Sequence, residues 1–166
     1  MSSPDAPAVL TPAVLTSAAL TPAALTPAVL SPEVVEFLSA GTRTGVLAWT
    51  AADGRALAAP VWFLVEDGAL VFNTGATTSK GRALARDPRV SLVVDVSAPP
   101  FAFVQVQGVA ELSEDPAELV RTATALGARY MGAERAAEYG RRNGVPGELV
   151  VRIRPTKVIA HMAVAD

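Results

Sequence analysis

The chain of 166 residues contains no cysteine and only one histidine, His161. Without cysteine there is no disulfide, no thiol catalysis and no thiolate metal site, and such a composition suits a reducing compartment. A single imidazole also argues against a zinc or iron site. We therefore expect a cytoplasmic protein that has no metal centre.

Neither sign of charge is in clear excess. The chain has 14 basic and 16 acidic residues and a formal net charge of −2. Because the two signs are interspersed, no electrostatic footprint for nucleic acid or for an anionic membrane is present, and we expect neither as a partner. Any anion-binding site must therefore be local. The length itself predicts a single domain with one core.

Residues 6–32 lack charge altogether, which by length invites interpretation as a membrane span or a secretory signal. Pro12, Pro22 and Pro27 interrupt any long helix there, however, and no basic segment precedes it. The segment repeats a pentad of the type Thr-Pro-Ala-Val-Leu, whose period spreads the leucines around a helix axis. We expect residues 1–30 to be a low-complexity tail and residues 31–166 to be the functional domain.

The domain pattern predicts many short strands and few helices. Asp53-Gly54 and Asp67-Gly68 are typical hairpin turns, so the strands around them are expected to form an antiparallel meander. Strands are predicted at 44–50, 57–65, 69–74, 89–95, 102–112, 148–154 and 157–162, with Pro155-Thr156 separating the last two. Helices are predicted from Pro32, over 79–86, after Asp115 and near 134–142. The fold class is thus mainly β (α+β), a barrel of six or seven antiparallel strands with a few short flanking helices.

The segment that follows the strand at 69–74 has the composition of an anion site. Thr77, Thr78 and Ser79 are followed by Lys80 and Arg82 at the start of the predicted helix. Free N–H groups and the positive end of the helix dipole attract anions there, and hydroxyl and cationic side chains strengthen the attraction. The same residues also suit an ordinary helix cap, so both interpretations stay open. A P-loop is excluded because the residue directly before Lys80 is not glycine and the residue directly after it carries no hydroxyl. Nucleotide hydrolysis is therefore disfavoured.

Several short stretches, in their order and spacing, resemble a known family. They are residues 60–63, 67–68, 78–90, 104–108, 129–130 and 152–159. Together they resemble the pyridoxamine-phosphate-oxidase-like split β-barrel family, in particular its deazaflavin-dependent oxidoreductases of actinobacteria. The resemblance implies a split barrel that forms a homodimer and holds a flavin-like cofactor in a groove between the subunits.

The resemblance also implies which residues bind the cofactor. The phosphate maps onto the turn from Thr77 to Arg82, and the ring lies along the Pro-Val-Trp strand. The residues assigned in this way are Ala59, Pro60, Val61, Trp62, Asn73, Thr74, Thr77, Thr78, Ser79, Lys80 and Arg82. Many members have an arginine immediately before the lysine, where this chain has Ser79, so the phosphate is held with less charge.

The implied activity is hydride transfer from reduced coenzyme F-420 to a small conjugated organic substrate. Two alternatives stay open: an FMN-binding oxidoreductase or flavin reductase of the same fold, and a non-catalytic protein that binds deazaflavin, flavin or haem. The C-terminal ending that binds substrate in true pyridoxamine phosphate oxidases is absent, which disfavours vitamin B6 oxidation. No catalytic acid stands out, and Tyr130 and Tyr139 are expected to serve mainly in packing.

Overall fold

A computed structural model of the chain describes residues 26–165. Its strands are β1 (Gly45–Thr50), β2 (Ala56–Val61), β3 (Leu64–Glu66), β4 (Ala69–Gly75), β5 (Arg89–Val96), β6 (Ala102–Ser113) and β7 (Glu148–His161). Its α-helices are α1 (Pro32–Ser39), α2 (Ser79–Arg86), α3 (Pro116–Met131) and α4 (Ala136–Asn143), with a 3₁₀ turn at Ala133–Arg135. None of the helices in this range combines the length and the apolar character needed to cross a membrane.

All seven strands form one antiparallel sheet in the order β2-β1-β5-β6-β7-β4-β3. The two edge strands, β2 and β3, are consecutive in the chain, and only Trp62 and Phe63 separate them. A link this short spans at most about 10 Å. The sheet must therefore curl until its two edges meet, which confirms the predicted barrel of antiparallel strands.

The predicted meander is wrong at this link. Residues 57–65 are not one strand but the end of β2, the link and the start of β3, which lie on opposite edges of the sheet. Both turns themselves form as predicted: Gly54 has φ of 84°, and Asp67 and Gly68 have φ of 50° and 71°. The turns specify local hairpins, whereas the placement of each hairpin in the sheet depends on strands far along the chain.

The two predicted final strands are one continuous strand, β7. The register against β6 shifts between Gln107 and Gly108, and Thr156 is the extra residue of a β-bulge. At Pro155 the strand is paired with β6 alone, because the pairing with β4 ends at Ile153. Proline, which has no N–H to donate, is tolerated at such a position, so Pro155 does not end the strand.

The core fills the barrel and reaches the end of the tail. Phe63, Phe72 and Leu47 are fully buried. The alternation of apolar residues along 102–112 predicts an inward row in β6, and Val104 and Val106 in the middle of this row are fully buried, while its two ends are partly buried. Leu30, the last residue of the pentad repeat, is 6% exposed and belongs to the same core. The N–H of Ala28 donates to the carbonyl of Pro155 at the bulge (2.9 Å). The final pentad thus contacts the barrel directly, while the earlier pentads lie outside the described residues.

Candidate functional site

A cavity of about 300 Å³ lies between one end of the barrel and the helices α3 and α4. Its lining residues are Pro60, Val61, Trp62, Asn73, Lys80, Ala123, Leu126, Tyr139 and Asn143. The first five of these come from β2, the β2–β3 link, β4 and α2, and all five were predicted from the sequence to bind a cofactor. Residues that are separate in the chain are thus brought to one concave site, which is the usual form of a small-molecule site.

Lys80 contributes the cation of the cavity. Its side chain is half-buried, and the ammonium lies 5.6 Å from the ring centroid of Phe72 and 6.0 Å from that of Trp49. Every ion pair formed within residues 26–165 uses an arginine, so the ammonium has no carboxylate partner there. Burial lowers the pKa of Lys80 below its ordinary value of 10.5. An anion that enters the cavity would relieve this desolvated charge.

Thr78 acts as the N-cap of α2. Its hydroxyl accepts from the N–H of Gly81 (3.0 Å) and donates to the carbonyl of Gly75 (2.7 Å). The first turn of α2 lies very close to the end of β4, and only a glycine fits at position 81, because a Cβ there would lie 2.3 Å from the carbonyl oxygen of Gly75. The Thr78 hydroxyl hydrogen is therefore already used within the turn. The N–H groups of Ser79 and Lys80, in the first turn, have no possible partner inside the helix.

The other predicted residues do not line the cavity. Arg82 is exposed and its guanidinium donates to the carbonyl of Thr77, which lies in the same turn. Thr74 is buried with its hydroxyl 3.5 Å from that of Thr78, and Ala59 packs against the barrel core. The predicted residues outside the cavity lining are Ala59, Thr74, Thr77, Thr78, Ser79 and Arg82. The cavity thus contains one of the two predicted cations.

Asn73 presents an acceptor at the cavity wall. Its amide nitrogen donates to the carbonyl of Leu119 on α3 (3.3 Å), and its Oδ1 atom is buried without a hydrogen-bond partner among the described residues. Since a carbonyl can only accept, this bond fixes which end of the amide is the nitrogen. A buried acceptor without a partner costs free energy, and a ligand that donates an N–H would satisfy it.

Trp62 and Tyr139 form an aromatic wall of the cavity, and Tyr130 packs against Trp62 outside the lining. The indole of Trp62 stacks on the ring of Tyr130 with a centroid distance of 4.9 Å and an interplanar angle of 2°, and the ring of Tyr139 lies 5.8 Å away at 46°. Arg135 and Arg142 in turn lie over the Tyr139 ring. Such a wall suits a planar, conjugated ligand.

The helices α3 and α4 contribute lining residues that the sequence did not reveal. Ala123, Leu126 and Tyr139 are buried, and Asn143 lies at the end of α4. The apolar spacing of α3 predicts a helix that covers the barrel, but spacing does not indicate over which end it lies. Tyr130, by contrast, packs as expected: its hydroxyl contacts backbone groups at Arg43 and Phe63.

The single histidine is remote from the cavity lining. His161 is exposed at the end of β7 and stacks on Phe103, with 5.0 Å between ring centroids. Residues 26–165 contain no group of three His, Cys, Asp or Glu side chains that could hold a metal ion.

Solved structures of several proteins resemble this one. A conserved hypothetical protein from Mycobacterium tuberculosis is 27% identical, with a TM-score of 0.70 over 84% of this chain and 94% of that one. A heme binding protein from Mycobacterium smegmatis is 28% identical, with a TM-score of 0.61 over 80% of this chain and 54% of that one. An F420 reductase shares the fold at 24% identity, with a TM-score of 0.61 over 78% of this chain and 98% of that one. No curated protein matches the chain.

The sequence of this chain also matches a family model over residues 30–162, which is nearly all of the described barrel. The model is that of pyridoxamine 5'-phosphate oxidase, and the matched range includes every strand and helix that builds the cavity. The barrel, its strand order and this match agree with one another, and the chain belongs to the pyridoxamine 5'-phosphate oxidase family.

Proposed function

We propose that the protein is a cytoplasmic oxidoreductase that uses reduced deazaflavin coenzyme F-420 to reduce a small conjugated organic substrate. The observation that carries the proposal is the half-buried Lys80 ammonium, which has no carboxylate partner in the described range and lines the cavity together with Trp62 and Asn73. Membership of an oxidase family, and the shared fold of an F420 reductase, support the same class of chemistry.

The cavity residues fit such a cofactor. Lys80 and the free N–H groups at the start of α2 would hold its phosphate, as helix N-termini hold anions elsewhere. Pro60, Val61 and Trp62 would lie along the ring, and the free Asn73 oxygen would accept from a ring N–H. When bound, the reduced coenzyme supplies a hydride from C5 of its ring, while the protein supplies position and field.

The size of the cavity bears on the oligomeric state. About 300 Å³ lies at the lower end of the range for small-molecule sites, so one chain encloses only part of a large coenzyme. A site completed by a second subunit would supply the missing surface. We therefore include a homodimer in the proposal.

The outer face of the sheet offers a surface for that second subunit. Opposite residues of antiparallel strands share a face, so the register aligns two rows across five strands. The rows are Pro60, Val46, Val93, Gln105 and Ile159, and Ala58, Ala48, Ser91, Gln107 and Lys157. None of these ten residues is buried, and Lys157 is the only charged one. A weakly charged, partly apolar face suits a second copy of the chain.

An FMN-binding oxidoreductase is the second candidate, because the same cation and helix start can hold the terminal phosphate of FMN. A haem carrier is less well supported. One similar structure is a heme binding protein, but the single histidine of this chain does not line the cavity.

Separate titrations with F-420 and FMN, followed by cofactor fluorescence and absorbance, test the proposal. We expect F-420 to bind, and Lys80→Ala to raise its Kd at least about tenfold, since a charge-assisted hydrogen bond contributes about 1.5–3 kcal/mol. Arg86→Ala is the matched control, because Arg86 is exposed on the same helix and donates to the Thr50 carbonyl outside the cavity.

The two binding curves separate the candidates. An unchanged Kd for Lys80→Ala would exclude the phosphate site. Tight binding of FMN without binding of F-420 would establish the second candidate instead. Turnover of F-420 with nitroaromatic or enone probes would then distinguish an enzyme from a carrier.

A further inference from the structure

The link between the two edge strands is held by side chains from α3. The backbone N–H of Phe63 donates to the Tyr130 hydroxyl (3.1 Å), and the carbonyl of Phe63 accepts from Nη1 of Arg129 (2.6 Å). Phe63 lies between β2 and β3, outside both strands, and its side chain is fully buried. Buried backbone groups outside the ladder need such partners, so Arg129 and Tyr130 satisfy what the barrel closure leaves open.

The same two side chains fix the link to the surrounding elements. Arg129 also donates to the carbonyls of Leu38 (2.7 Å) and Gly41 (3.1 Å) at the end of α1, and its guanidinium lies 4.8 Å from the Phe63 ring centroid. The Tyr130 hydroxyl donates to the carbonyl of Arg43 (2.8 Å). A planar guanidinium can bind three carbonyls in different directions, which a lysine ammonium on a flexible stem does less well.

Trp62, the residue next to Phe63 in the link, lies in the cavity wall. One face of its indole is covered by the parallel ring of Tyr130 at 4.9 Å. Neither Arg129 nor Tyr130 lines the cavity, so a ligand meets the indole from the side that Tyr130 leaves open. Arg129 and Tyr130 thus contact the Trp62-Phe63 link from outside the cavity lining.

We propose that Arg129 and Tyr130 are positioning residues for the cavity: they hold the Trp62-Phe63 link, and with it the indole, where a planar ligand stacks. Their effect on the indole is independent of the ligand's identity. Only the effect on affinity rests on the proposed function.

The test uses Tyr130→Phe, which keeps the ring stack and removes the hydroxyl. The chain has two tryptophans, so in a Trp49→Phe background the tryptophan fluorescence, excited at wavelengths that tyrosine does not absorb, reports on Trp62 through its emission maximum and its quenching by acrylamide. We expect Tyr130→Phe to change both fluorescence signals in the cofactor-free protein, while its far-UV circular dichroism spectrum is retained. We also expect the Kd of F-420, or of FMN if the parent binds FMN, to rise about tenfold. The reason is that the buried N–H of Phe63 loses its partner, so the link no longer holds the indole where the ligand stacks.

Arg129→Lys is the second variant and should give the same changes, because it keeps the charge but not the three-way contact. Val90→Ala, in the buried face of β5 and outside this cavity lining, is the control for general destabilisation. It should lower the melting temperature without altering the Trp62 signals or the Kd. Unchanged Trp62 signals in both α3 variants would overturn the proposal. Changed signals in a protein that binds neither cofactor would uphold it while rejecting the proposed function.

Discussion

At the scale of single residues, Lys80 is the most informative side chain. A half-buried ammonium without a carboxylate partner in the described residues is unfavourable for folding alone, and burial accordingly lowers its pKa. Cation–π contact with the Phe72 ring, 5.6 Å away, offsets part of this cost. Such a residue is better explained by a ligand than by stability, which is why it carries the proposed function.

The lowered pKa of Lys80 predicts how affinity depends on pH. A phosphate binds the protonated amine, so the Kd should be constant below the lowered pKa and should rise as the pH passes through it, before the ordinary 10.5 is reached. Lys80→Arg should remove this dependence, because a guanidinium stays charged throughout. Cofactor titrations from pH 7 upwards measure the effect, and identical profiles for the parent and Lys80→Arg would contradict it.

At the scale of elements, the turn before α2 and the last pentad show how sequence patterns acquire a definite role. The hydroxyl-rich turn was compatible with either a helix cap or an anion site. The hydrogen bonds of Thr78 make its hydroxyl a cap, while the cavity contains the neighbouring Lys80. The pentad Thr-Pro-Ala-Val-Leu likewise ends with Leu30 in the core and Val29 in solvent.

The contrast between Leu30 and Val29 gives a matched pair of substitutions. Leu30→Ala should lower the free energy of unfolding by about 2–3 kcal/mol, because it leaves a cavity in the barrel core. Val29→Ala should change it by less than about 0.5 kcal/mol, because Val29 is 87% exposed. Urea denaturation measures both. Equal, small effects would show that the tail extends through Leu30 and would restore residue 31 as the start of the domain.

At the scale of the whole molecule, barrel closure determines both the cavity and the outer face. Bringing β2 next to β3 places the Pro60 end of β2 beside β4 and α2, where the cavity forms. The same curvature turns the weakly charged rows of β1, β5, β6 and β7 outwards. A homodimer through these rows would place a second chain near Pro60, which belongs to one row and also lines the cavity.

The proposed dimer can be tested with two equally exposed valines. Val46 lies in the outer row and is 44% exposed, whereas Val120 lies on α3 and is 45% exposed. Light scattering should return twice the chain mass for the parent and for Val120→Glu. Val46→Glu should give a monomer with weaker cofactor binding, because a charge in an apolar interface is costly. A parent that is monomeric at micromolar concentration and still binds cofactor tightly would rule out the shared site.

The local features of this protein could be predicted because near neighbours encode them. The bounds of α2, the Asp67-Gly68 turn, the Asp115 cap of α3 and the inward row of β6 all agree with the structure. Each depends on capping, on backbone freedom or on a period of two along one strand, and these act within a few residues. The resemblance added the family and five residues that do line the cavity.

What local pattern could not supply is the arrangement of distant segments. The division of 57–65 between two sheet edges, the continuity of β7 through Pro155 and the contacts of Arg129 with three carbonyls all join residues far apart in the chain. Their energies arise only when the whole sheet closes, because a strand pairs with whichever partner lets the entire core be buried. The amino-acid sequence therefore specified the elements and the chemistry of Lys80, and only the closed barrel decided that Lys80, Trp62 and Tyr139 line one cavity.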